Sequence, residues 1–287
     1  MKQKLFTKSA FKTALNCQTQ LYYSYKRDEY ANQELEDDFL QSLAEGGFQV
    51  GELAKVYYGI PPKMDIEELD YDASVARTKE LFEADTINIA EAAFRYGNLF
   101  VRTDILEKCG DYINIIEVKA KSWDETVDSF YARGTDDEVN HGMIEYVYDV
   151  AFQKYVVTKA LEEQYPDRKF IVKAHLMLAD KTKKADVDGI NQRFKISSVR
   201  GNVLSELRMR TFCVILNTFL LHSMWMICVI LLSPVRVESN RYCYLQSSKS
   251  LSMRWLMLTA TRNDFLARLL LHASNARFVR LLRTLSI

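Results

Sequence analysis

The segment LFVRTDILEKCGDYINIIEVKAKS, residues 99–122, is the clearest indicator of the fold in this chain. It contains two runs rich in β-branched and apolar residues, and a third run of the same kind precedes it. Short turn segments that contain glycine separate the three runs, which are 87–96, 99–107 and 112–120. Runs of this kind joined by tight turns are typical of antiparallel strands. The sequence therefore predicts a meander of three strands.

Helices are predicted on both sides of this meander. Apolar residues keep a partly helical spacing over 39–58, where Gly46 and Gly47 interrupt it, and a longer helical pattern covers 144–161. Residues 170–178 then alternate between polar and apolar and predict a fourth strand. Hairpins followed by a helical crossover and a further strand predict an α/β fold, in which helices flank a mixed sheet.

Three charged residues in the predicted hairpin suggest chemistry. Alternation along a strand places Glu117 and Lys119 on one face, and a turn centred near residue 110 brings Asp104 opposite residue 116, next to Glu117. Unpaired carboxylates are costly to bury, and a hard divalent cation would offset that cost. The alternative is a surface hairpin with an ordinary Glu–Lys pair, which contributes little stability.

The chain resembles the PD-(D/E)XK nuclease superfamily in its RecB-like branch, and more narrowly an uncharacterised bacterial family that begins with such a module. The resemblance covers residues 5–196. It rests on the strings TKSAFKTALNCQTQLYY, EGGFQVGELAKVYY, EAAFRYGNLFVRTDIL, INIIEVKAKS, YVYDVAFQKYV and LMLADKTKKADVDGINQRFKI. It implies a restriction-endonuclease-like α/β fold over residues 1–199 and hydrolysis of DNA phosphodiester bonds with Mg²⁺ or Mn²⁺, with RNA left open as a substrate.

The resemblance also implies roles for individual residues. Asp104 and Glu117 match the metal-binding acids, Lys119 matches the catalytic lysine, and Gln153 matches a glutamine that helps to hold the site. Glu52 lies where these nucleases often carry a further metal ligand, although a solvated helix glutamate is an equal alternative.

Three other residues depart from the family pattern or rank lower. The tyrosine expected four residues after Gln153 is absent, because position 157 is valine, and Tyr155 is a doubtful replacement. Cys17 matches the first of four cysteines that hold an iron–sulfur cluster in some relatives, but the remaining cysteines lack compact spacing. We therefore expect no such cluster, and we expect Cys17 to be a free cysteine buried in a helix. Glu91 is an additional acid on a predicted strand and ranks below Glu52.

The composition changes abruptly near Val199. Residues 1–199 carry 26 basic and 35 acidic side chains, a net charge of −9, whereas residues 200–287 carry 12 and 3, a net charge of +9. The tail uses Arg and Leu in place of Lys and acids, and the resemblance stops where it begins. We interpret the tail as a frame-shifted replacement for the rest of a larger protein, with a genuine basic tail as the alternative. Its predicted structure is helical.

The tail leaves two other functions open. Residues 211–235 contain no charge and are long enough to span a bilayer, which would make the chain a membrane-anchored binding protein. A truncated chain that keeps the site residues without a competent fold would be inactive. The 12% aromatic content excludes a disordered or collagen-like chain, and no signal peptide is visible, so we expect a cytoplasmic protein. The membrane is the alternative location.

Overall fold

The structure is a computed structural model of the 287-residue chain. It describes residues 5–26, 28–30, 38–68, 70–134 and 138–182, followed by four short strands at 195–199, 202–206, 227–231 and 257–259. Within 38–45 and the four late strands, only the backbone is described.

In the described part of the chain, five α-helices accompany the sheet: α1 Lys8–Asn16, α2 Gln18–Ser24, α3 Asp38–Tyr57, α4 Tyr71–Phe82 and α5 Ile144–Gln164. Side-chain caps begin three of them: Thr7 accepts from Ala10 N ahead of α1, Cys17 accepts from Gln20 N ahead of α2, and Asp70 accepts from Ala73 N ahead of α4. A short 3₁₀ helix, Pro62–Met64, lies between α3 and α4. α3 runs unbroken through Gly46 and Gly47, so the predicted interruption is wrong: glycine costs a helix stability without having to end it.

Three long strands form the predicted meander: β2 Thr86–Tyr96, β3 Leu99–Cys109 and β4 Tyr112–Trp123. β3 pairs antiparallel with both β2 and β4. The two connecting turns place Gly97 at φ +57° and Gly110 at φ +56°. Only glycine adopts this left-handed backbone without strain, which explains why each turn contains one.

α5 then carries the chain to β5, Ile171–Asp180, which pairs parallel with β4. The two-residue strand β1, Phe6–Thr7, pairs parallel with the start of β3, on the same edge of β3 that β4 pairs with further along. The sheet is therefore mixed, which confirms the predicted α/β class. Aromatic and aliphatic side chains of α1 and α5 pack against the sheet, among them Phe11 and Phe152, whose rings stack 4.7 Å apart.

The described part of residues 195–287 consists of four short strands: β6 Lys195–Val199, β7 Asn202–Glu206, β8 Ile227–Leu231 and β9 Met257–Thr259. β6 and β7 form a separate hairpin, whereas β8 pairs with β5 and β9 with β8. In the predicted membrane span 211–235 only β8 is described, and it is a strand. The rest of that span, and the tail predicted to be helical apart from these strands, lie outside the described residues. Among the helices of the described residues, none has the length and apolar character needed to cross a bilayer.

Candidate active site

The site lies where β3 and β4 stop pairing, a place we call the fork. Their ladder runs from Cys109 opposite Tyr112 to Ile105 opposite Ile116 and ends there. Continued by one residue, this register would place Asp104 opposite Glu117, one residue from the position expected from the sequence. At that point the backbone N–H of Val118 donates to Asp104 Oδ2 at 2.7 Å. A side-chain carboxylate thus takes a hydrogen bond that a ladder carbonyl accepts elsewhere in the sheet.

The N-terminal segment borders the fork on its other side. β1 pairs with Leu99 and Phe100, on the part of β3 that β4 has left. α1 starts immediately after β1, with Lys8 as its first residue. This connection directs the Lys8 side chain toward Glu117, and its Nζ lies 2.7 Å from Oε1 and 2.9 Å from Oε2.

Glu117 is the centre of the cluster and is fully buried. Besides Lys8, its carboxylate accepts hydrogen bonds from Lys119 Nζ at Oε1 and from Gln153 Nε2 at Oε2, the latter at 2.6 Å. Gln153 reaches the site from the buried face of α5. The structure therefore brings together Asp104, Glu117, Lys119 and Gln153, the four residues singled out in the sequence as catalytic.

Asp149 is a further acid of this cluster, and sequence reasoning missed it. It precedes Gln153 by four residues on α5, so that both side chains lie on the same helix face. Its Oδ2 lies 3.4 Å from the ammonium of Lys119 and 3.4 Å from that of Lys12. An aspartate within the apolar pattern of a predicted core helix was the signal that could have identified it, because acids are rarely buried without a partner.

Electrostatics separate the two carboxylates of the fork. Burial alone would raise the pKa of Glu117, but the ammonium groups of Lys8 and Lys119 outweigh burial and lower it. Asp104 has no direct ion pair with a lysine among the described contacts. Burial, together with the negative charge of Glu117, raises its pKa. The surroundings of Glu117 thus favour its ionised form, whereas those of Asp104 disfavour its ionised form.

Glu91 lies across β3 from Glu117. The register of β2 with β3 skips it between Ala90–Ile105 and Ala92–Thr103, which places Glu91 beside Asp104. Its φ is +56°, a left-handed conformation that is rare and strained for glutamate. Burial raises its pKa, and its negative charge contributes to the raised pKa of Asp104. The sequence ranked Glu91 below Glu52, whereas the structure brings Glu91 closer to the fork acids.

Glu52 makes no hydrogen bond or ion pair with Asp104 or Glu117 among the described contacts. On α3 its Oε1 accepts from Lys55 Nζ at 2.8 Å, and the same ammonium binds Asp65 Oδ2 at 2.8 Å. Each of these three side chains is about one fifth exposed. Glu52 is therefore engaged in an ion-pair cluster, and the charges of Lys55 and Asp65 in that cluster act on Glu91 beside the fork. The role of Glu52 as a metal ligand stays a prediction.

Two other expectations can be compared with the structure. The ring of Tyr155 packs edge-on against Tyr96, with centroids 6.4 Å apart, and Val157 is buried in the core. Neither residue supplies the tyrosine of the family pattern. Cys17 is an exposed free cysteine that caps α2 through a Gln20 N–H donor, so its predicted burial is wrong: it lies between two helices rather than within one.

The donor set of the fork fits a hard divalent cation. Asp104 and Glu117 offer carboxylate oxygens, and Mg²⁺ typically takes one or two carboxylates and completes its shell with water and substrate phosphate. Within the described residues, no group of three or more His, Cys, Asp or Glu side chains is arranged to hold a metal. Asp104 and Glu117 are the residues that would hold such a cation, with Lys119 beside them.

Comparisons with models of protein families, with curated proteins and with solved structures found no match for this chain. Two adjacent acids, a lysine and an amide donor at one strand fork are suited to holding a cation and stabilising negative charge that develops on a bound substrate.

Proposed function

We propose that this chain is a metal-dependent nuclease that hydrolyses phosphodiester bonds in DNA, of the RecB-like PD-(D/E)XK kind, acting in the cytoplasm. The observation that supports it is the convergence of Asp104, Glu117 and Lys119 at the fork between β3 and β4. An ordinary surface Glu–Lys pair is exposed to solvent. Here Glu117 is fully buried, and its carboxylate accepts hydrogen bonds from three side chains.

Each side chain has a defined task in this proposal. Asp104 and Glu117 would hold Mg²⁺ or Mn²⁺, and the bound ion would polarise a phosphoryl oxygen and lower the pKa of a water. Lys119 holds the attacking water and neutralises negative charge on the phosphate as the phosphorus–oxygen bond to the leaving strand breaks. Gln153 fixes the orientation of Glu117 through its hydrogen bond to Oε2. The leaving oxygen takes up a proton and the cleaved phosphate keeps the oxygen of water.

Cleavage by the full-length chain tests the proposal. With Mn²⁺ the purified protein should cut end-labelled single- and double-stranded DNA, and chelation with EDTA should stop it. Lys119→Ala should lower the rate at least about a hundredfold, since it removes one preorganised charge at the reacting phosphate. An RNA of the same sequence, measured in parallel, determines which nucleic acid is preferred.

A matched control guards against contaminating nucleases and against misfolding. Lys79→Ala removes an exposed lysine of α4, outside the fork, and should cut DNA at the wild-type rate. Equal rates for wild type, Lys119→Ala and Lys79→Ala would reject the assignment, because the activity would then come from elsewhere.

A further inference from the structure

The hydrogen-bonding capacity of Glu117 is fully used by the protein itself. A carboxylate has about four lone-pair sites, two on each oxygen. Oε1 accepts from Lys8 and Lys119, and Oε2 accepts from Lys8 and Gln153. A cation that coordinates Glu117 must therefore displace one of these donors.

Lys8 is the donor that can leave. Gln153 is fully buried on α5, and Lys119 is held by a second carboxylate, that of Asp149. Within the described residues Lys8 has one ion-pair partner, Glu117, whereas Lys119 has two. Both side chains are partly exposed, 22% for Lys8 and 25% for Lys119. A four-carbon stem on the first residue of α1 lets the ammonium move outward without disturbing the helix.

We propose that Lys8 is an internal counter-ion that occupies the cation side of Glu117 and exchanges with the divalent metal, after which its ammonium binds a phosphate of the DNA next to the cleaved bond. This inference rests on the proposed function and adds a substrate-binding residue to it. In the metal-free chain the ammonium neutralises a buried carboxylate, which would otherwise be costly. In the loaded chain the metal provides that charge, and the released ammonium remains tethered at the fork, where an anionic strand arrives.

The exchange predicts opposite changes in two affinities. Lys8→Met keeps the length and apolar stem of the side chain but removes the competing charge. We expect it to bind Mn²⁺ about tenfold more tightly than wild type, measured without DNA by the electron paramagnetic resonance signal of free Mn²⁺. With Ca²⁺ in place of Mn²⁺ to suppress cleavage, we expect it to bind a fluorescent DNA oligonucleotide about fivefold more weakly, because one phosphate contact is lost.

Lys12→Met is the matched control. Lys12 lies one turn further along α1, and its ammonium contacts Asp149 and Glu145 rather than Glu117. Its Mn²⁺ affinity should stay within about twofold of wild type. If circular dichroism shows that Lys8→Met fails to fold, Lys8→Gln is the second variant, because it retains a hydrogen-bond donor without the charge. It too should bind Mn²⁺ more tightly than wild type.

The outcomes separate this inference from the proposed function. If wild type binds Mn²⁺ and the Lys8 variants bind it equally or less tightly, the exchange is refuted while the nuclease assignment stands. If neither wild type nor the Lys8 variants bind Mn²⁺ at millimolar concentration, both are refuted. Tighter binding by Lys8→Met, lost again in Lys8→Met combined with Glu117→Gln, supports both.

Discussion

The two ends of the β3–β4 hairpin use charged and polar residues in different ways. At the closed end, next to the turn, the buried Lys108 donates to the carbonyl of Ala84 and lies over the ring of Phe82. Asn114 donates to Glu107 and accepts from the buried His175. Each of these polar groups has a partner of matching chemistry, and the strands stay paired.

At the open end, the fork, several charged side chains cluster although the strands there no longer pair. Lys8 and Lys119 both bind Glu117 there, Lys119 also binds Asp149, and Asp104 accepts a hydrogen bond from the backbone beside them. Four buried side-chain atoms lack a hydrogen-bond partner within the described part of the chain, and all belong to residues on this side of the hairpin: Arg102 Nε, Trp123 Nε1, Asp149 Oδ1 and Gln153 Oε1.

The contacts at the closed end are those of a stably packed hairpin, whereas those at the open end fit the proposed chemistry. Buried ion pairs contribute little net stability, because desolvation offsets most of their attraction. A cluster of titratable groups with shifted pKa values is instead typical of an active site. The polar contacts at the closed end thus stabilise the fold, and the titratable cluster at the open end is the part that the proposed reaction would use.

We expect the strongest loss of DNA cleavage from Asp104→Asn, a change that preserves the hydrogen bond with the backbone N–H of Val118. Asp104→Asn keeps an oxygen that can accept from Val118 N but removes a negative charge that the metal needs. We expect DNA cleavage to fall about a thousandfold, consistent with losing several kcal/mol of metal-derived stabilisation. The melting temperature without metal should not fall, because the raised pKa of Asp104 shows that the fold opposes its charge.

Glu107→Gln makes the same kind of change at the closed end of the same strand. The new side-chain amide would still accept from Asn114, so neither cleavage nor the melting temperature should change by much. If the two variants lose activity to the same extent, the contrast between the two ends does not hold.

The sequence predicted the hairpin well because its information is local. Alternation over 99–120 and a glycine at each turn determine the strands, and the turn determines the register to within one residue. Asp104, Glu117 and Lys119 could be placed together for the same reason. Gln153 could be named only through family resemblance, because its contact with Glu117 spans 36 residues.

The remaining site residues depend on long-range contacts that no local pattern shows. Lys8 reaches Glu117 across 109 residues because β1 pairs with the part of β3 that β4 has left. Asp149 was hidden within a helix pattern read as core. Glu52 was placed at the site by resemblance, yet Lys55 between Glu52 and Asp65 keeps it in a local cluster.

A medium effect is expected from Asp149, which we regard as a positioning residue for Lys119. Asp149→Asn preserves the shape of the side chain but weakens its attraction for the ammonium 3.4 Å away. Removing an outer partner of this kind typically costs about ten- to a hundredfold in activity. We expect kcat to fall by that factor, while KM for DNA and the affinity for Mn²⁺ measured without DNA stay unchanged.

The split between kcat and metal affinity is what separates positioning from a structural role. Glu145→Gln is the control, since Glu145 is an exposed acid on the same helix that lies 3.9 Å from Lys12. It should leave kcat unchanged. A loss of Mn²⁺ affinity in Asp149→Asn would instead show that Asp149 is itself a ligand, and an unchanged kcat would show that Lys119 needs no second carboxylate.

The smallest effect concerns pH and the closed end. Burial, reinforced by the charges of Lys173 and Lys154, lowers the pKa of His175 to about 3. The folded chain therefore keeps His175 neutral while the unfolded chain takes up a proton below about pH 6.5. Unfolding is then coupled to proton uptake, and the stability that neutral His175 provides above pH 6.5 is lost as the pH falls.

Urea unfolding of wild type and His175→Gln at pH 7.5, 6.5 and 5.0 measures this contribution. Gln keeps a donor for Asn114 Oδ1, which the histidine Nε2 approaches at 3.3 Å, but does not titrate. Between pH 6.5 and 5.0 wild type should lose about 1.5 kcal/mol more than the variant. Because the acids of the fork titrate in both proteins, their contribution cancels in the difference. Parallel curves would mean that His175 accepts a proton in the folded chain, and the closed end would then carry a titrating charge as the open end does.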